Sequence, residues 1–272
     1  MLLAALRFAF AAVPAVAFVP RPAVALRYVI LYGLTVGVGQ FGCLFYAISI
    51  GMPAGIASVV VQSQVAFTIV FAAVLLHESI SGPQLAGLGI AAIGLGLVGY
   101  ATGSAGAAIP LPALLLTLAA AAFWGMSNIV CRKAAASQGG RLDMLSMVVW
   151  SSLVPPIPLF VLAVALGTPG AVFRSIGSMS ALSLFAVAYL ALGATLFGYG
   201  AWSKLLSRHP AGEVAPLSLL VPITGLLTAM LVLGEKLSAL QWCGCLVVIA
   251  GLLAFNYGPR AVARTLRARQ GP

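Results

Sequence analysis

Residues 53–100 recur without a gap at residues 210–257, an offset of 157 positions. Pro53-Ala54-Gly55 returns as Pro210-Ala211-Gly212, and the run Glu78, Ser81, Gln84, Gly87, Gly94 returns as Glu235, Ser238, Gln241, Gly244, Gly251. Upstream, Tyr32 pairs with Tyr189. Twelve of the 48 aligned positions are identical. They gather at helix ends and glycines, where coincidence between two apolar runs does not place them. Any fold for this chain must therefore house two copies of one pattern.

What that pattern is follows from its greasiness. The chain is 62% hydrophobic and 7% charged, whereas soluble domains carry about 25% charged residues. Such a composition cannot coat a surface facing water. The apolar runs are each close to the ~20 residues that a helix needs to cross about 30 Å of hydrocarbon. They lack period-2 alternation, and backbone in lipid must be satisfied within helices or closed barrels. The expected class is all-α: a polytopic membrane helical bundle. A repeat inside such a bundle points to a transporter assembled from two related halves.

Nine spans are expected, at 1–19, 28–50, 54–76, 85–101, 111–131, 145–166, 182–203, 215–233 and 240–257. Alternate connections fall on alternate sides. One set holds Arg21, Arg27, Arg132, Lys133, Arg141, Lys204, Arg208 and the tail residues Arg260, Arg264, Arg267 and Arg269; the other holds Arg174 and Lys236. Eleven positive charges against two place the tail in the cytoplasm of a multi-pass inner-membrane protein. The repeat then divides the chain into a first half of four spans (1–103), a second of five (104–258) and a basic tail (259–272). Five spans per half would give the halves opposite orientations, so a first helix is expected to be missing from a ten-span arrangement. A cleaved signal peptide, with Arg7 before Phe8–Val19 and Ala23-Val24-Ala25 as the cleavage site, is the competing reading of the N-terminus. It would reverse the charge asymmetry.

The net charge of +10 does not indicate nucleic acid, because the basic residues sit in connections and form no stripe with aromatics. Cys43, Cys131, Cys243 and Cys245 read as packing residues, and no metal or cofactor is expected. Glu78, Asp143, Glu213 and Glu235 all fall at span ends or in loops, so no carboxylate relay crosses the bilayer. Glu78 and Glu235 are expected to bond loop amides or neighbouring bases. His77 and His209 lie near loops without an acid pair beside them, which leaves little for an enzyme to use.

Polar side chains inside spans should face partners or a watery path. Ser58 and Gln62 share one helix face and Gln64 and Thr68 another, about 200° away. Gln62 is the favoured substrate ligand of the two, with interhelical bonding as the alternative. Gln40 is a second amide in mid-span; two amides could bind both ends of a zwitterion. Trp124 with Ser127, Asn128 and Cys131 forms a polar-aromatic stripe. Thr195, Tyr199 and Trp202 form another, and Ser218 lies between Pro216 and Pro222. The expected substrate residues are Gln40, Gln62, Trp124, Asn128, Tyr199 and Ser218, against the plainer reading of bundle packing. Arg7 lies roughly 10 Å into its helix and is expected to snorkel outward, with a ligand role as the lesser alternative. Pro14, Pro155, Pro156, Pro158, Pro216 and Pro222 are expected to kink helices and free carbonyls. Gly87, Gly89, Gly94 and Gly96, like Gly33 and Gly37, are expected to allow close helix contact.

Several stretches resemble one family throughout the chain: Leu6-Arg7-Phe8, Tyr32-Gly33-Leu34-Thr35, Gly39-Gln40-Phe41, Gly51-Met52-Pro53-Ala54-Gly55, Thr117–Ala121, Phe123-Trp124-Gly125 and Val214–Pro222. The sequence is similar to the EamA family of the drug/metabolite transporter superfamily, and within it to the exporters of cysteine and O-acetylserine. The resemblance implies two inverted-topology repeats, alternating access, and a small polar amino acid as substrate. Another amino acid, a drug-like solute and an inactive shortened chain are the alternatives. The partners implied are a small-molecule substrate and the lipid bilayer, with a homodimer left open.

Overall fold

The computed structural model describes residues 1–104, 109–140, 142–167, 169–208 and 220–269. Side chains are described there except at 99, 102–104, 169, 171, 202–203, 206–208 and 256–269. Among the described residues every regular element is helical. Each of the nine expected stretches carries a helix. Four are long and apolar enough to cross a membrane unaided: Leu26–Ser49, Ala54–Leu76, Leu111–Ala136 and Ala181–Ala201. Met144–Ser151 and Pro156–Leu166 pass only as a pair, bent by 44°. Leu2–Ala15, Gly82–Val98, Leu220–Leu233 and Ala239–Phe255 are shorter apolar helices. An additional helix, Pro169–Gly177, occupies a connection that the sequence reading left open.

Local chemistry explains the helix ends. Asp143 caps Met144–Ser151 by accepting from Leu145 N at 3.0 Å and Ser146 Oγ at 2.6 Å. Ser81 N donates to Gln84 Oε1 at 2.9 Å, and Ser238 N donates to Gln241 Oε1 at 2.8 Å, the same backward bond at both ends of the 157-residue offset; at the second, Gln241 N returns a bond to Ser238 Oγ at 3.2 Å and completes a capping box. The turns before these bonds match as well. His77 (φ 54°) and Gly234 (φ 66°) take the left-handed conformation. Glu78 N then reaches Ala72 O at 3.4 Å, and Glu235 N reaches Ala229 O at 3.1 Å.

Contacts divide the chain into two compact units. The first comprises Met1–Tyr46 and Met126–Ala211; the second comprises Ala47–Gly125 and Gly212–Pro272. Each unit draws on both halves of the repeat.

In the second unit, the helices starting at Gly82 and Ala239 pack along their length. A Cβ on Gly87 would lie 2.6 Å from Phe255 N, one on Gly94 2.6 Å from Val248 N, and one on Gly244 2.9 Å from Val98 N. As residue numbers rise on one helix they fall on the other, so these two repeat-equivalent helices run antiparallel. Gly87 with Gly251, and Gly94 with Gly244, bring backbone against backbone. Gly89 and Gly96 meet nothing within 4 Å. Of the glycines expected on this helix, Gly87 and Gly94 serve the contact, because Gly89 and Gly96 each lie two residues further on and project elsewhere.

Helix 54–76 begins at Pro53, which supplies no side-chain cap. Glu235 supplies it instead, accepting from Ala54 N at 2.7 Å and Gly55 N at 3.0 Å. Its carboxylate satisfies two of the donors that a helix start leaves open. Glu78 follows the other end of the same 23-residue helix, roughly 34 Å away by helical rise.

In the first unit, Ala4, Ala5, Phe8 and Leu159 form one buried cluster, and Val29, Tyr32, Val36, Val130, Met147 and Val148 belong to another. Trp150 Nε1 donates to Val19 O at 3.1 Å. Helix 26–49 widens to π-helical winding over Gly33–Phe41, and the helix at 181–208 does so over Tyr189–Phe197. These segments occupy nearly equivalent places in the repeat. Such widened turns are rare and gather at functional sites.

Candidate functional site

A cavity in the first unit lies where those two π-helical segments and the bent helix pair meet. It is nearly closed, with a volume of about 10 Å³, room for about one water. Gly33, Val36, Gly37 and Phe41 come from one π-helical segment and Thr195 from the other, with Tyr199 one turn beyond. Ser151, Ser152 and Pro155 come from the bend, and Arg7 and Phe8 from helix 2–15. Glycine is required at 33 and 37. A Cβ on Gly33 would lie 2.5 Å from Ser151 O, and one on Gly37 would overlap the Pro155 ring.

Proline chemistry makes the bend. Ser152 O could accept a helical bond only from residues 155 or 156, and both are prolines without an N–H. Ser151 O accepts from Val154 N at 3.0 Å instead. Ser152 O is thus left without an α-helical or 3-10 donor, in a residue that lines the cavity. Pro216 lies outside the described residues.

Arg7 is the charged group of this cavity. It is 6% exposed, so it does not snorkel as its sequence position suggests. Phe41 draws it inward: the guanidinium carbon sits 4.0 Å from the Phe41 ring centroid and 5.3 Å from that of Phe8. Its Nε donates to Thr195 Oγ1 at 3.1 Å. Thr195 Oγ1 in turn donates to Leu190 O, five residues back, at 2.8 Å. Among the described residues no carboxylate pairs with Arg7, and its Nη1 and Nη2 groups make no hydrogen bond. Tyr32 and Tyr199, which hydrogen-bond to each other through their side chains, also line the cavity. Tyr32's repeat partner, Tyr189, is exposed and stacks on Phe185. Equivalent positions in the two halves thus do different work.

Of the six expected substrate residues, Tyr199 lines this cavity. Gln40 and Asn128 belong to the same unit, Gln62 and Trp124 to the second, and Ser218 lies outside the described residues. Trp124 and Asn128 are half-buried and engaged by neighbours. Gln40 and Gln62 are buried at 5% and 3% exposure, each with an Oε1 that accepts no hydrogen bond. A buried orphan acceptor is costly, so each calls for a donor that arrives from elsewhere. Gln62 sits in a 3-10 turn, Val61–Ser63, that interrupts its helix. Gln64, by contrast, accepts from Thr68 Oγ1 at 3.3 Å within its own helix. The Trp202 side chain lies outside the described residues. Sequence reasoning ranked Arg7 low and did not single out Ser151 or Ser152. The available signal was a lone charge within an otherwise uncharged first twenty residues.

Apolar helices with large exposed hydrophobic side chains, such as Phe18, Leu182 and Leu231, enclosing a buried polar cavity define a multi-pass membrane protein. The chain belongs to the EamA-like transporter family, which matches residues 1–100 and 111–257. It is 42% identical over 260 residues to the "Probable amino-acid metabolite efflux pump" of Escherichia coli K12, covering 96% of this chain and 86% of that protein. The protein of the same name in Salmonella typhimurium is also 42% identical, covering 98% and 88%. A "Probable terminal-alkyne amino-acid exporter" of Streptantibioticus cattleyicolor is 26% identical, covering 85% and 73%. A solved crystal structure at 18% identity shares the fold, with a TM-score of 0.58 over 93% of this chain and 86% of that one.

Proposed function

We propose that this chain exports small amino acids, cysteine and O-acetylserine among them, across the bacterial inner membrane, with its tail in the cytoplasm. The observation that carries the reading is the cavity of the first unit: a buried cation, hydroxyls and aromatic rings gathered where two widened helical segments meet a broken helix. Polar groups at that depth are expensive in a membrane bundle and mark a solute path. The names of the relatives at 42% identity support the substrate class. Alternating access between two inverted halves is the mechanism. The antiparallel pairing of repeat-equivalent helices supports it. Gln40, Gln62, Trp124, Asn128, Tyr199 and Ser218 supply further contacts along the path, and Gln40 and Gln62 offer the orphan carbonyl oxygens. The chain performs no chemistry on its substrate.

The test is retention of labelled L-cysteine by preloaded cells. Cells expressing the chain are expected to lose label several-fold faster than cells carrying an empty vector. Equal loss from both would contradict the proposal.

A further inference from the structure

We infer that Arg7 anchors the carboxylate of the substrate and that the helix break at Ser151–Pro155 receives its ammonium group, so that the cavity selects free α-amino acids. The inference rests on the exporter reading and specifies the chemistry at the same site. A guanidinium does not shed its proton when buried, so the cavity keeps a full positive charge. One hydroxyl and two aromatic faces offset only part of what desolvation costs. The usual remedy is a carboxylate, and the described acids of the first unit offer none: Asp143 is committed to Leu145 N and Ser146 Oγ. The missing counter-charge is therefore one that comes and goes.

Geometry narrows it further. Thr195 holds Nε and the Phe41 ring covers one face of the guanidinium. The two Nη groups are left as a fork, which suits the two oxygens of a carboxylate. Ser152 also lines this cavity, and its carbonyl has no α-helical or 3-10 donor because residues 155 and 156 are prolines. An α-ammonium supplies such donors. A ligand with only an amine would place its charge against Arg7 without a carboxylate to offset it. A ligand with only a carboxylate would leave the Ser152 oxygen unmet.

The experiment uses the full chain in proteoliposomes, with uptake of labelled L-cysteine challenged by unlabelled L-cysteine, cysteamine (no carboxylate), 3-mercaptopropionate (no ammonium) or phosphate. Both truncated analogues are expected to compete at least about tenfold more weakly than L-cysteine, a deficit of about 1.4 kcal/mol. In Arg7→Gln the preference for L-cysteine over cysteamine should fall to near unity, and Arg7→Lys should retain part of it. Equal competition by cysteamine in the unmodified protein, or an unchanged preference in Arg7→Gln, would overturn the role of Arg7. Equal competition by 3-mercaptopropionate would overturn the role of the break while leaving that of Arg7. Phosphate competing as well as L-cysteine would make this a general anion site and overturn the amino-acid assignment. No L-cysteine uptake by the unmodified protein would defeat the exporter reading itself, and this inference with it. If Arg7→Gln does not fold, competition on the unmodified protein decides.

Discussion

A histidine at position 77 adopts a backbone conformation that its repeat partner meets with a glycine. Both residues end a helix in the left-handed region, at φ 54° and 66°. An L side chain there crowds its own backbone, a cost of about 1 kcal/mol that glycine avoids. His77→Gly is therefore expected to raise stability by about 1 kcal/mol, and Gly234→Ala to lower it by a similar amount. No neighbour lies within 4 Å of a Cβ at 234 to complicate the reading. Thermal unfolding of the purified protein in detergent would check both, and a His77→Gly variant that melts lower than the parent would contradict the argument. The left-handed turn was partly legible, since glycine in one copy of a repeat marks what the other copy must do. Arg7 was not. Its burial depends on Phe41 and on Thr195, 188 positions away, and nothing in its local sequence announces either.

At the scale of elements, the close pairing of helices in the second unit turns on which glycines point inward. A Cβ on Gly94 would stand 2.6 Å from Val248 N and 2.8 Å from Gly244 O, both backbone atoms with little room to move. Gly94→Ala is expected to cost about 1–3 kcal/mol through overpacking. Gly89→Ala, with open space around it, should be neutral or stabilising by up to about 1 kcal/mol through helix propensity. Detergent melting curves that rank the two variants the other way would contradict the antiparallel register. The helices themselves were legible from uninterrupted apolar runs of membrane length, and the bend at residues 152–155 from its prolines. The π-helical segments were not, because an extra residue per turn leaves hydropathy unchanged. The opposite-face argument for Gln62 and Gln64 assumed an even period of 3.6. The 3-10 turn at Val61–Ser63 breaks that period where Gln62 sits.

For the whole molecule, composition gave the membrane class and the 157-residue offset gave the repeat. The grouping of contacts was beyond both, because each compact unit takes segments from the two halves and not one half each. A search confined to consecutive sequence cannot see such an exchange. The central claim is that the halves lie inverted in the membrane, and two exposed neighbours of the repeated glutamates, Ser79 and Lys236, report on it. In a variant with Cys43, Cys131, Cys243 and Cys245 replaced, Ser79→Cys and Lys236→Cys would be treated separately with a membrane-impermeant maleimide on intact cells. The account predicts labelling at 236 and protection at 79 until the membrane is permeabilised. The same accessibility at both positions would contradict it.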